Sequence, residues 1–431
     1  MLFAPFHVKS AMGIIPDIVA ALVVPFPANI EISVQILHLL NVLIISGTGK
    51  EREEFMNRSN IMEIKKSMKI TMEDMPSIDT ICTCFVNGNK EKLISNTERY
   101  RDLDEEEQFK YIELLSASMT GAVGKKLINL AYDNSPESMN AQKQMQNNYK
   151  QIFADDTARD EFFDNIINTL VFDENYLIIA GHGLYDAPVK TSDGAKLEDE
   201  TDIYEFMLVV ICPVHSTKAG LTLDSQTGRM ISSTQVQIVQ APINGFLYPA
   251  FNDRQTDLSG MLYFTKKPEE NHPEFIEMLL GTPAPTSSVE QQGIFENMIA
   301  ELADDKADFE VIKTLHDNLK EMTENAQMEA VDKQLDKEDI KNIFKDAGIS
   351  DERLADFDHV YARAGGTDNT IFAPQNLMEI DKFNVKAPDV EIKIKPDRTG
   401  LIQKKKVDGK NCIVVTLEGD IELNGIQVSA T

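Results

Sequence analysis

From Met56 onward the spacing of apolar residues changes repeatedly, and each change predicts an element. A short helix is expected over 60–69. The stretch "IDTICTCFVNGNKEKLIS" (78–95) alternates and then turns at Asn87-Gly88, a hairpin signal because glycine tolerates positive φ. "DLDEEEQFKYIELLSASMTG" (102–121) puts acids in a first turn and Gly121 after the end. Its spacing predicts an amphipathic helix with Phe109, Ile112, Leu115 and Met119 on one face. "KKLINLAY" reads as a strand, 136–170 as two helices, and "NYLIIAGH", "YEFMLVVICPV", "STQVQIVQ" and "GMLYFTK" as further strands.

Beyond "TPAPTSS" (282–288), a boundary by composition, the pattern over 289–364 is helical. Within it "DKEDIKNIFKDAGISDERLADFDHVYARAGG" reads as a helix hairpin. Asp336 and Ser350 cap, Gly348 stops the first helix, and Ile340, Ile343, Phe344, Leu354, Phe357 and Tyr361 face inward. From 365 the chain turns to short β runs, read as a small C-terminal sheet. Regular βαβ alternation is absent, so the expected class is α+β: an N-terminal mixed domain over 56–281, a linker at 282–288, a helical region over 289–364 and a small β domain over 365–431.

The first 55 residues fit no such pattern. The apolar stretch 32–46 is short of the roughly 20 residues a spanning helix needs, and it carries Gln35, His38 and Asn41. Pro25 and Pro27 break the run before it, and no signal-peptide pattern is present. "VLIISGTGK" approaches a phosphate loop, but Ile44 stands where its first glycine belongs and Glu51 follows Lys50. The Glu51-Arg52-Glu53-Glu54 run can be encoded by purine codons containing GGAGG, a bacterial ribosome-binding core just ahead of the Met56 codon. Residues 1–55 are therefore expected to be translated leader.

Composition narrows the function classes. There are 70 Asp plus Glu against 42 Lys plus Arg, a formal charge of −28, so the surface repels phosphate backbones and anionic membranes. Only 391–410, with seven basic and three acidic residues, offers a local basic patch that could touch RNA or an acidic partner. Four cysteines without regular spacing argue against a disulfide framework and favour a reducing cytoplasm.

Five ordered stretches carry a family resemblance: "YDAPVKTSDG" (185–194), "ICPVHSTKAGL" (211–221), "GFLYPAFNDRQTD" (245–257), "DFEVIKTLHDNL" (308–319) and "PDVEIKIKPDRTGL" (388–401). Together they resemble the bacterial domain-of-unknown-function family 4317, from about Met56 to near the C-terminus. The resemblance implies a start near Met56 in a helix, and no activity.

Candidate chemistry is sparse. Cys82 and Cys84 with Cys212 and His215 could make a three-cysteine, one-histidine zinc set, but the C-x-C spacing is tight, and three small buried hydrophobes is the preferred reading. Gly181-x-Gly183 lacks the third glycine of a dinucleotide loop, so no cofactor is expected. His316 reads as a half-buried packing residue. Two polar loops remain: 185–194, with Asp186, Lys190, Ser192 and Asp193, and 252–257, with Asn252, Asp253, Arg254, Thr256 and Asp257. Carboxylates beside cations on loops next to strands suit ligand binding or acid–base work, and suit structural turns equally. The leading expectation is a cytoplasmic, non-enzymatic binding or regulatory protein with a protein partner or polar ligand. The alternative is a hydrolase or transferase using those loops.

Overall fold

The structure is a computed structural model that describes residues 56–69, 76–190, 196–224, 226–303, 307–328, 333–367, 370–419, 421–423 and 425–428. The leader expected over 1–55 lies outside the described residues, as do Ser192 and Asp193.

The first helix, α1 (Arg58–Ser67), starts at a capping box in which Asn57 and Asn60 exchange side-chain and backbone hydrogen bonds. Next come β1 (Ile78–Val86), β2 (Lys92–Arg99), α2 (Glu105–Ala117), β3 (Leu127–Ala131), α3 (Pro136–Ala154) and α4 (Asp156–Thr169). The strands then run from β4 (Tyr176–Lys190) and β5 (Lys196–Ser216) through β6 (Gly220–Asp224), β7 (Arg229–Ser233), β8 (Gln237–Val239), β9 (Asn244–Tyr248), β10 (Ala250–Asn252), β11 (Gln255–Asp257) and β12 (Gly260–Thr265). Eight strands form one sheet in the order β2-β1-β4-β5-β9-β12-β3, with β8 pairing to β5, and every pairing is antiparallel.

Helices cover both faces of this sheet. On one face α3, α4 and a π-helical turn, Phe275–Leu280, bury Tyr149, Phe162, Phe163 and Phe275 against Cys82, Ile178, Met207 and Ile211. On the other, α1 and α2 bury Ile61, Ile64, Ile112 and Leu115 against Ile81, Ile179, Leu208 and Val210. This explains the unbroken apolar run at 206–212: Phe206, Leu208, Val210 and Cys212 face one core, while Met207, Val209 and Ile211 face the other. The glycines in "GHG" have a packing reason instead of a cofactor reason. A Cβ on Gly183 would lie 2.3 Å from the Phe206 ring, so the strand makes room there for a buried aromatic.

Two sequence expectations for this layer are corrected. Phe109 is 62% exposed, because the buried stripe of α2 runs through Tyr111, Ile112 and Leu115, with Phe109 just outside it. The polar segment from Tyr185 to Lys190 is not a loop but the outer part of β4, paired to β5 from Tyr185↔Tyr204 to Lys190↔Lys196.

The boundary stretch 282–288 is folded back on the sheet layer: Asn271 Nδ2 donates to the Pro285 carbonyl at 2.9 Å. From it start α5 (Ser288–Leu302), α6 (Phe309–Met328), α7 (Lys337–Asp346), α8 (Asp351–Leu354), α9 (Phe357–Ala364) and α10 (Pro374–Leu377), which share a third core around Phe295, Leu319, Phe344 and Phe357. Phe372 and Leu377 are buried in that core, so it runs past residue 364 into the segment expected to be β. His316 is fully buried rather than half-buried, edge-on to Phe383 at 5.1 Å. The C-terminal strands make three separate two-stranded hairpins instead of one sheet: β13 (Phe383–Ala387) with β14 (Val390–Ile394), β15 (Ile402–Val407) with β16 (Lys410–Val415), and β17 (Ile421–Leu423) with β18 (Ile426–Val428). The α+β class holds, as an antiparallel sheet between helical layers with a helical module and hairpins after it. Among the described residues no helix is long and apolar enough to cross a membrane.

Candidate functional site

Of the two polar segments, 252–257 is a tight hairpin. Asn252 pairs with Gln255 across β10 and β11, leaving Asp253 and Arg254 as the turn at φ 44° and 61°. Both values are left-handed, a conformation that suits a two-residue hairpin but strains a residue with a Cβ. Asn252 Nδ2 donates to Asp257 Oδ2 at 2.6 Å, and Asp257 Oδ1 accepts from the Ser259 backbone N–H at 2.8 Å. These polar groups therefore satisfy one another inside the turn.

Arg254 reaches out of the hairpin to α1, where its Nη1 lies 2.7 Å from the Glu63 carboxylate. Glu63 Oε1 also accepts from the Tyr185 hydroxyl at 2.7 Å. Burial first, and the Glu63 contact second, push the Tyr185 hydroxyl up to about 12, so it remains a donor. The two segments thus meet through Glu63, a residue the sequence reading did not single out. The other members do not join them. Asp186 is exposed on β4 opposite Ile203, and Asp253 is exposed at the turn. Lys190 ends the β4 backbone with its side chain outside the described part, and Asp193 lies outside it altogether.

The zinc set is separated by the sheet itself. Neighbouring rungs Cys84–Ile178–Ile211 and Phe85–Leu177–Cys212 present opposite faces, so Cys82 and Cys84 lie in one core and Cys212 in the other. His215 is exposed and 3.3 Å from Glu174. Burial raises all three thiols, Cys84 to about 11 and Cys212 to about 12, which disfavours the thiolate a metal needs.

Where the sheet layer meets the helical module a cleft of about 690 Å³ opens, within the size range of small-molecule sites. One wall is the start of α1 with the turn at 121–125. The other combines the start of α5, Lys333 and the segment 378–381. The turn needs its glycines: Gly124 sits at φ 78°, and a Cβ on Gly121 would lie 2.7 Å from that of Lys126. Gln375 Nε2 donates to the Val123 carbonyl at 3.0 Å and Asn376 Nδ2 to that of Gly124 at 2.7 Å, fixing the walls to each other. Arg58, Lys125 and Lys333 line the opening and are exposed. Among the described residues none of the three is in an ion pair, on a chain with far more acids than bases. Glu379 and Asp381 also line it, and Glu379 is held by Lys382 at 3.2 Å. No local pattern announces this cleft, because its lining comes from stretches as distant as Asn57 and Asp381.

Fold and cleft define a helix-covered antiparallel sheet joined to a helical module, with a recess of mixed polar and apolar lining at the junction. The chain belongs to the family described as Domain of unknown function (DUF4317), whose pattern matches residues 56–426. No curated protein matches it.

Proposed function

We propose that this is a non-enzymatic binding or regulatory protein of the bacterial cytoplasm, and that it holds a polar small molecule bearing a negative group in the cleft between sheet and helical module. The observation that carries this reading is the convergence of Arg58, Lys125 and Lys333, without ion-pair partners among the described residues, on a recess of ligand size. A thermal-shift panel of phosphate- and carboxylate-bearing metabolites tests it. At least one should raise Tm in the unaltered protein, and Lys125→Glu or Lys333→Glu should abolish the shift while leaving the ligand-free Tm nearly unchanged. A panel without effect, or an undiminished shift in both variants, ends the reading.

A second reading, a hydrolase or transferase at 185–194 and 252–257, is favoured by one observation: strained backbone such as that at Arg254 concentrates at functional sites. Against it, the Arg254 guanidinium is engaged by Glu63 and Asn252 by Asp257. The basic hairpin β15–β16 leaves Lys404, Lys405 and Lys406 exposed, with Lys404 3.4 Å from Asp308, and would suit an acidic partner.

A further inference from the structure

Away from the cleft, where β4 leaves the centre of the sheet, His182 is held on both sides. Its Nδ1 lies 2.8 Å from Asp79 Oδ1 and its Nε2 3.1 Å from Glu205 Oε1. The other oxygen of Glu205 bonds the Lys150 ammonium of α3, and Phe153 of the same helix lies against the imidazole with centroids 5.0 Å apart. Only 13% of the His182 side chain is exposed. The backbone builds this arrangement. Ile78 stands opposite Gly183 and Thr80 opposite His182, so Asp79 is the extra residue of a β-bulge, and the bulge turns its carboxylate onto the histidine face.

We propose that Asp79, His182 and Glu205 form a proton-operated clasp, which fastens α3 to the sheet while His182 is protonated and loosens that helix when the proton leaves. Only the imidazolium has an N–H donor for each carboxylate. The neutral ring has one, and its bare nitrogen then faces a carboxylate oxygen at hydrogen-bond distance. Among the described residues the charged groups that face the cluster are Asp79 from β1, Glu205 from β5 and Lys150 from α3; the cross-strand neighbours of His182, Thr80 and Met207, do not titrate.

The electrostatics agree in sign. Burial would lower the His182 pKa, but the bonds and charges of Asp79 and Glu205 hold it above 6.5. Asp79 and Glu205, although burial opposes it, are drawn below their ordinary range, Asp79 by His182 and Glu205 by Lys150 and His182. A folded pKa above the unfolded one means the contribution is complete below about 6.5 and is lost as pH rises through the folded value. The clasp therefore opens as pH rises through the raised His182 pKa, above 6.5.

Two measurements on the full chain decide the matter. By NMR, one histidine ring should titrate above 6.5, vanish in His182→Gln and move back toward 6.5 in Asp79→Asn, which serves if the glutamine variant fails to fold. By hydrogen exchange, corrected for the intrinsic pH dependence, amides in the second half of α3 should lose protection above that pKa, at most about tenfold per pH unit because one proton is linked. The His182→Gln profile should be flat. A His182 titration at or below 6.5, or α3 protection that varies with pH alike in both proteins, overturns the proposal.

Discussion

Arg254 stands at φ 61°, where a side-chain-bearing residue is strained by about 1–3 kcal/mol, and the bond to Glu63 offsets that strain. About a fifth of each side chain is exposed, so solvent weakens the pair relative to a fully buried one. Arg254→Ala should cost about 2–3 kcal/mol in urea unfolding, less than the roughly 3–5 of a fully buried pair, because the left-handed strain stays while the bond is lost. Arg254→Gly should cost less than alanine, since it relieves the strain. Equal losses would mean that the backbone conformation is not what the pair holds. Gly183→Ala should cost about 1–3 kcal/mol by driving a methyl into the Phe206 ring. The sequence marked Arg254 as a candidate from its charge and its hairpin setting. It could not mark Glu63, 191 residues earlier on a helix whose pattern speaks only of which face is apolar.

Among the elements, those with local signals were legible. Asp336 starts α7 with a capping box as its spacing predicts, whereas Ser350, expected to cap as well, stands before α8 without a side-chain cap bond. The box at Ser287 that starts α5 lies in the stretch expected to be a linker. Ser287→Ala or Asp336→Ala should each lower stability by about 1 kcal/mol in chemical denaturation. The outer half of β4 carries a strand signal that its composition hides. Leu184 and Asp186 are exposed while Tyr185 is half-buried and Ala187 buried, so the alternation of a strand is present. Its charges and Pro188 masked that alternation, because the ribbon has lost its outer neighbours and one face meets water. The C-terminal strands were legible individually, but nothing in runs of three to six residues says whether three hairpins join into one sheet.

At the scale of the molecule, the sequence spoke to class and charge and left the arrangement unsaid. Uneven blocks of helix and strand pointed to α+β. That helices cover both faces of one sheet, and that a cleft forms against the next module, depends on pairings between distant segments. The charge of −28 yields a direct expectation. Raising salt from about 0.02 to 0.5 M should raise Tm by screening self-repulsion, and the protein should pass unretained through a DNA column at physiological salt. Retention that Lys404→Glu with Lys405→Glu removes would instead make the β15–β16 hairpin a nucleic-acid contact.

The sheet order also sets a timetable for the growing polypeptide. Among the described strands β3 pairs only with β12, with Leu127 opposite Phe264, and on its other side Leu127 has a single bridge to Val123. On a ribosome adding about 5–20 residues per second, β12 follows β3 by roughly 130 residues, or about 7–26 seconds. Through that interval the buried residues of β3, Leu127 and Leu130, lack the strand beside which they finally lie. The nascent chain is thus exposed to capture or misassembly for longest at one rim of the sheet, and a chaperone that shields this polypeptide during synthesis has its natural target there.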